Sequence, residues 1–139
     1  MMPIEWESKY EIGLKLIDEQ HRRIFNVYNQ LLVLQQKQHP CFREDILKTF
    51  EDLADYIHLH FTTEEEIMRI YGFPQFKEHK LEHEEFTLKI NKLKKDFQEG
   101  DMLLMDSLVK MIRVWIINHV LVEDLKYKPF IPKDNPTLT

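Results

Sequence analysis

The decisive stretch of the chain is QFKEHKLEHEEFTLKINKLKKDFQ, residues 75–98. Its apolar and imidazole side chains recur at steps of three or four residues, which places them on one face of an α-helix. That face consists of Phe76, His79, His83, Phe86, Ile90, Leu93 and Phe97. The stretch therefore predicts an amphipathic helix whose buried side contains two histidines.

Three further stretches show the same period, and the predicted helices cover residues 18–38, 42–71, 75–98 and 102–125. The first begins at Asp18, a favourable N-cap, and ends before His39 and Pro40. Gly72 suits the position that ends the second helix. Helices of this length with short connections predict an all-α fold, an up-down-up-down antiparallel four-helix bundle. We expect one domain over residues 1–139, with a non-helical N-terminal arm and C-terminal tail.

The composition excludes several classes of protein. Hydrophobic residues make up 43% of the 139 residues and charged residues 31%, which is typical of a globular protein, and three glycines are too few for a turn-rich sandwich or barrel. The net charge of −5 and the lack of a basic cluster argue against nucleic acid as a partner. The single Cys41 excludes an internal disulfide, which favours a cytoplasmic protein. No apolar run or secretory pattern predicts membrane insertion or export.

Polar side chains occupy positions that the period assigns to the core. The apolar face of each predicted helix, here called its stripe, contains an imidazole, and the stripe of the second helix adds a carboxylate. These residues are His21, His60, Glu64, His79, His83 and His119. One buried histidine needs only a hydrogen-bond partner, but an ionised carboxylate buried among several imidazoles needs a compensating cation. We therefore expect a bound metal where the stripes converge.

The spacing of these residues supports a metal site. His60 and Glu64 are four residues apart, as are His79 and His83, so each pair projects from one helix face. Imidazoles with one or two carboxylates and no thiolate suit iron, copper, nickel or zinc, and they exclude an iron–sulfur cluster. These six candidate ligands, with Asp124 as a possible seventh, exceed the four of a structural zinc site, which favours two metal ions.

Asp124 is the least regular candidate ligand. It follows His119 by five residues, and five steps of a regular helix rotate a side chain by about 140°. The spacing alone leaves two alternatives, a ligand brought round by the helix end or an exposed acid. The two remaining histidines, His39 and His58, lie off the stripes and are predicted to be surface residues.

Four motifs combine these residues: Asp18-x-x-His21, His60-Phe61-x-x-Glu64-Glu65, His79-x-x-x-His83 and Trp115-x-x-x-His119-x-x-x-x-Asp124-x-x-Tyr127. Together they resemble the hemerythrin family, in particular its single-domain bacterial members, the bacteriohemerythrins. The likeness extends from Trp6 to Tyr127 and is highly specific in its ligand spacing. It implies reversible O2 binding for storage, transport or delivery, and not an enzyme.

The resemblance also implies a cofactor of two non-haem irons joined by an oxo or hydroxo bridge. Three histidines would bind one iron, two histidines the other, and two carboxylates would bridge them. The three histidines would be His79, His83 and His119, and the two would be His21 and His60. The bridging carboxylates would be Glu64 and Asp124. One position stays open on the iron held by two histidines, and the family binds O2 there.

Reversible binding requires a dry pocket, for which neighbouring side chains are predicted as walls: Ile24, Phe61, Trp115 and Val120. Three alternatives compete with the carrier. A ferritin-like diiron oxidase or peroxidase commonly uses more carboxylates, and an O2 sensor or interaction module would act through a separate protein. Iron storage or nitric-oxide handling is a third, but the relevant relatives carry an extra cysteine-bearing segment. We expect a monomer whose partners are O2 and an oxygen-consuming enzyme as recipient.

Overall fold

The computed structural model describes residues 3–37, 43–98 and 104–132 of the chain. A 3-10 turn over Ser8–Tyr10 precedes four helices: α1 (Lys15–Lys37), α2 (Arg43–Ile70), α3 (Phe76–Gln98) and α4 (Leu104–Trp115). The fourth helix continues beyond α4 as a π segment (Ile116–Glu123) and a 3-10 segment (Asp124–Phe130). Each helix packs against the next and α4 returns to α1, so the predicted four-helix bundle is confirmed.

The first helix begins three residues earlier than predicted. Asp18 is not its N-cap, because the Asp18 N–H already donates a helical hydrogen bond to the Leu14 carbonyl at 2.9 Å. The Asp18 carboxylate instead accepts hydrogen bonds from the N–H groups of Ile12, at 2.8 Å, and Gly13, at 3.2 Å. Gly13 has a φ of +95°, which a residue without a Cβ adopts freely. Asp18 therefore fastens the N-terminal arm to the first turn of α1.

The second helix ends as its sequence predicts. Gly72 adopts a left-handed φ of +64°. Its N–H donates to the Arg69 carbonyl, and the Phe73 N–H donates to the Met68 carbonyl, which is the hydrogen-bond pair of a Schellman cap. The other two connections contain His39, Cys41 and Gly100, which lie outside the described residues, so the surface position expected for His39 stays a prediction.

Two apolar clusters fill the bundle, and the candidate ligands lie between them along each helix. The larger cluster includes Ile24 and Phe50, and the smaller one includes Ile17 and Ile67. In α1, for example, His21 follows Ile17 of the smaller cluster and precedes Ile24 of the larger one. Apolar side chains therefore seal the polar region from both ends of the bundle. Within the described residues, no helix has the length and apolarity that a membrane span requires.

The fourth helix departs from the regular helix predicted over residues 102–125. From Ile116 the backbone forms π turns, in which the closing hydrogen bond joins residues five apart, as between the Asp124 N–H and the His119 carbonyl. The change of register leaves Val122, which a regular helix would place on the same face as His119, 49% exposed. Helical backbone also continues through Pro129, within the predicted tail, because the φ that proline imposes suits a 3-10 turn.

Candidate metal centre

The structure brings all seven candidate ligands together, and every one of them is buried. They form two groups that share both carboxylates. The three-histidine group contains Glu64, His79, His83, His119 and Asp124; the two-histidine group contains His21, His60, Glu64 and Asp124. Within each group, one donor atom from every residue lies within 4.8 Å of the others. His58, predicted to be a surface residue, is exposed.

Two helices deliver their ligands by regular α geometry. On α2, the Nε2 atom of His60 lies 3.4 Å from Oε2 of Glu64, one turn further along. On α3, the rings of His79 and His83 lie 4.8 Å apart, again one turn from each other. Both pairs therefore face the same interior point because side chains four residues apart share a helix face.

Asp124 reaches the cluster because of the π segment. In a regular helix this carboxylate would point about 140° away from His119. The five-residue π turns bring it back, so that Asp124 Oδ1 lies 3.0 Å from His119 Nε2 and the side chain is fully buried. Of the two alternatives that the spacing left open, the exposed acid is wrong. Short π segments of this kind are frequent at functional sites.

The distances between donor atoms fit a metal ion. Two neighbouring ligands of an octahedral ion, with bonds of about 2.1 Å at right angles, lie about 3.0 Å apart. The structure places His79 Nε2 3.0 Å from Asp124 Oδ1 and His83 Nε2 3.0 Å from His119 Nε2. In the two-histidine group, His21 Nε2 lies 2.9 Å from Asp124 Oδ2. The donor set and its spacing therefore suit a borderline metal such as iron.

The two carboxylates take different positions between the groups. Asp124 turns Oδ1 toward the three-histidine group and Oδ2 toward His21. Glu64 turns a single oxygen, Oε2, toward both groups, at 3.1 Å from His83 Nε2 and 3.4 Å from His60 Nε2. Its other oxygen, Oε1, accepts a 2.8 Å hydrogen bond from the Tyr127 hydroxyl. Both side chains thus contact both groups.

Without a metal ion, protons supply the positive charge that the carboxylates require. Burial raises the pKa of Glu64, and the Asp124 charge adds to this, but the neighbouring imidazoles, His60 first, hold it well below its ordinary value. Burial also raises the pKa of Asp124, which His119 and other imidazoles lower well below its usual range. Burial lowers the pKa of His79, but the two carboxylates raise it to about 9, and that of His119 also rises well above its ordinary value. A metal ion must displace these protons.

Carboxylates outside the predicted set contact the three-histidine group. Nδ1 of His83 lies 3.0 Å from Glu65 Oε2, and Nδ1 of His119 lies 3.8 Å from Glu82 Oε2. Such contacts orient an imidazole so that Nε2 faces the metal. The sequence analysis named Glu65 only within a motif and gave Glu82 no role, because contacts between helices depend on their packing.

In the two-histidine group, the Nδ1 atoms, which are the outer nitrogens of the imidazoles, have no carboxylate beside them in the described part of the chain. Nδ1 of His60 lies 2.9 Å from the amide oxygen of Gln20, whose Nε2 donates to Thr63 Oγ1 at 3.2 Å. Nδ1 of His21 is buried and has no hydrogen-bond partner among the described residues. The Trp6 ring lies beside it, with ring centroids 6.3 Å apart. The role of Gln20 had no signal in the sequence because its partners are on α2.

The four predicted pocket walls are all buried: Ile24, Phe61, Trp115 and Val120. Phe61 stacks on the His83 ring, with centroids 3.8 Å apart and planes 8° apart. Trp115 stacks on His119, at 5.1 Å and 14°. Trp115 and His119 also line a cavity of about 600 Å³ that lies between α3 and the fourth helix. These aromatic rings therefore cover two of the three histidines of the three-histidine group.

Comparisons with known proteins agree with this arrangement. The family model of the hemerythrin HHE cation-binding domain matches residues 12–131, a range that contains every candidate ligand. The bacteriohemerythrin of Stenotrophomonas maltophilia is 33% identical over 127 residues, which cover 91% of this chain and 80% of the relative. The myohemerythrin of Theromyzon tessulatum is 29% identical over 126 residues, 91% of this chain and 92% of that protein.

Structural similarity agrees with the sequence matches. A crystal structure of wild-type hemerythrin superimposes with a TM-score of 0.81 at 28% identity, covering 92% of this chain and 97% of that one. The shared fold, the family match and the buried cluster of histidines and carboxylates point to one conclusion: the chain belongs to the hemerythrin family.

Proposed function

We propose that this protein binds O2 reversibly at two non-haem iron ions held by the buried cluster, joined by an oxo or hydroxo bridge. One iron would be held by His79, His83 and His119, and the other by His21 and His60. The carboxylates of Glu64 and Asp124 would be shared by both irons. The observation that carries this proposal is the position of Asp124, whose Oδ1 faces one histidine group while Oδ2 faces the other.

When bound, two ferrous ions would supply the two electrons that reversible O2 binding requires. The protein would contribute a buried surrounding for that exchange. All proposed ligands are buried, and Phe61 and Trp115 cover two of the imidazoles by stacking. Exclusion of water favours release of O2 over irreversible oxidation of the irons, because water supplies the protons that oxidation consumes.

The donor set favours a carrier over an oxidase or peroxidase. Ferritin-like diiron enzymes build their sites from a glutamate on each of two helices and Glu-x-x-His pairs on the others. This cluster instead offers five imidazoles and two carboxylates. We propose a role in O2 storage, or in delivery to an oxygen-consuming enzyme, by a monomeric protein.

The visible absorption spectrum of the iron-loaded protein, followed through reduction, aeration and degassing, tests this function. Charge-transfer bands should appear with O2 and bleach when it is removed. The His58→Ala variant, which changes an exposed histidine of α2, should behave like the wild type, whereas His60→Ala should lose the response. A reduced protein that oxidises once and does not return would overturn the proposal in favour of an oxidase, a peroxide-consuming enzyme or an iron-handling protein.

A further inference from the structure

The two histidine groups differ in the side chains that contact the Nδ1 atoms of their imidazoles. In the three-histidine group, His83 and His119 each have a carboxylate near Nδ1, at 3.0 and 3.8 Å. In the two-histidine group, His60 has the neutral amide of Gln20, and His21 has no hydrogen-bond partner among the described residues. Two of the three imidazoles in the first group therefore have a carboxylate near Nδ1, closest at His83, whereas within the described ranges neither imidazole of the two-histidine group does.

This difference changes the strength of the ligands. A carboxylate that accepts the Nδ1–H of an imidazole makes Nε2 more basic and strengthens its bond to a metal. A neutral amide fixes the same orientation with a weaker electrostatic effect, because a hydrogen bond to a charged group is about twice as strong. His60 and His21 are therefore the weaker donors, and their metal position has one histidine fewer.

Gln20 is held so that it can serve only as an acceptor to His60. Its amide NH2 donates to Thr63 Oγ1, and the Thr63 hydroxyl donates to the Leu59 carbonyl at 2.9 Å. The Gln20 oxygen consequently points at His60 Nδ1, at 2.9 Å, and the side chain is buried. An acceptor there requires a proton on Nδ1, which leaves the lone pair of Nε2 free for a metal.

We propose that the centre loads metal in a fixed order, the three-histidine group first, and that Gln20 is the positioning residue that sets the affinity of the two-histidine group. This inference rests on the two-metal site of the proposed function. It adds that the metal bound by His21 and His60, where the resemblance places the O2 position, is the one that enters last and leaves first.

Anaerobic calorimetric titration of the metal-free protein with Fe²⁺ tests the order. Two events of one ion each are expected, the first tighter than the second. His60→Ala should remove the second event and keep the first, and circular dichroism should confirm that the variant folds. A single event of two ions, or loss of the first event in this variant, would overturn the order. A wild-type protein that binds no Fe²⁺ would instead contradict the proposed function.

Substitutions of Gln20 test its role in the same titration. Gln20→Glu should tighten the second event by about tenfold or more, and Gln20→Leu should weaken it by a similar factor, in the range of other residues behind metal ligands. The first event should keep its affinity in both variants. Gln30→Glu adds the same charge at an exposed position of α1 and should change neither event. A second event that is unchanged in both Gln20 variants, or a first event that shifts equally, would overturn the assignment.

Discussion

The second and the fourth helix each present two candidate ligands, but they do so by different geometries. α2 remains α-helical over 28 residues and presents His60 and Glu64, four positions apart, from one face. The fourth helix presents His119 and Asp124, five positions apart, and it can do so only because it changes to π turns. A ligand pair that matches the α period needs nothing from the backbone, whereas a pair that misses it requires a local change of helix type.

The π segment accommodates one more residue between His119 and Asp124 than the four-residue spacing of an α turn. Its turns close with five residues in place of four, so one more side chain is accommodated before the 3-10 segment begins at Asp124. Such turns are rare because their packing is poorer, and they persist where the surroundings stabilise them. Here the buried contacts of Asp124 with His21, His79 and His119 supply that stabilisation.

Single deletions should therefore have very different effects in the two helices. Deletion of the exposed Thr62 places Glu64 three positions after His60 and rotates the rest of α2 by about 100°, which also turns Ile67 and Met68 away from their core contacts. We expect this variant to lose both irons and its cooperative unfolding. Metal analysis of the purified protein and thermal melting followed by circular dichroism measure the two losses.

Deletion of the exposed Val122 is the matched variant in the fourth helix. It leaves His119 and Asp124 four residues apart, so a regular α turn can present both and the following Tyr127 stays in phase. We expect the variant to keep two irons and to melt no lower than the wild type. Loss of iron as severe as in the Thr62 deletion would show that the π segment is more than an inserted residue.

The sequence could predict the ligand pairs that match the α-helical period, but not the pair on the fourth helix. The bundle and the alignment of His60 with Glu64, and of His79 with His83, follow from a period that regular helices impose on any sequence. Asp124 could be decided only through the family resemblance, because its spacing from His119 contradicts that period. Local periodicity carries no signal for a helix that changes type.

Contacts between side chains of different helices also could not be predicted from the sequence. Gln20 and Glu82 face imidazoles on other helices, and their positions depend on how two helices are rotated against each other. Asp18 was predicted as a helix cap by its residue type, but the N-terminal arm competes for its carboxylate through two backbone N–H groups. In each case tertiary packing determined what a polar side chain contacts.

Removal of a single ligand of the fourth helix should have the next largest effect. His119→Ala takes an imidazole from the three-histidine group, and we expect the loss of one iron or both. Iron content per chain and the visible spectrum after aeration measure the loss, with the exposed His58→Ala of α2 as control. A His119→Ala protein with two irons and intact O2 binding would show that the ligand assignment is wrong.

The two helices should also differ in the protons that metal binding releases. Burial lowers the pKa of His60 on α2, so this imidazole is neutral at pH 7.5, whereas the pKa of His119 is raised well above its ordinary value by the charge of Asp124 despite burial. With His79, whose pKa is raised to about 9, His119 must lose its proton before it can bind a metal.

Proton release should therefore depend on pH in a defined direction. Near pH 7.5, Fe²⁺ binding should release the protons of both His79 and His119, and the apparent affinity should rise as the pH rises. As the pH passes through about 9, the His79 contribution should disappear because that proton has already left. Anaerobic titrations in weakly buffered indicator solutions measure the released protons. If the number of protons released per Fe²⁺ stays constant from pH 7 to 9.5, the assignment of a bound proton to His79 is wrong.

The smallest expected effect tests whether the fourth helix also supports a ligand of α2. Tyr127, in the 3-10 segment, donates to Glu64 Oε1 at 2.8 Å, and burial, with the nearby carboxylates, raises its pKa well above the ordinary value, so it remains a donor. Tyr127→Phe should keep both irons but lower the free energy of unfolding by about 2 kcal/mol, because a buried carboxylate oxygen loses its partner. Urea denaturation measures this loss. Tyr28→Phe, which removes a buried hydroxyl that accepts from the partly exposed Arg113, should cost less. Equal losses would mean that the Tyr127 hydroxyl does not hold Glu64 in place.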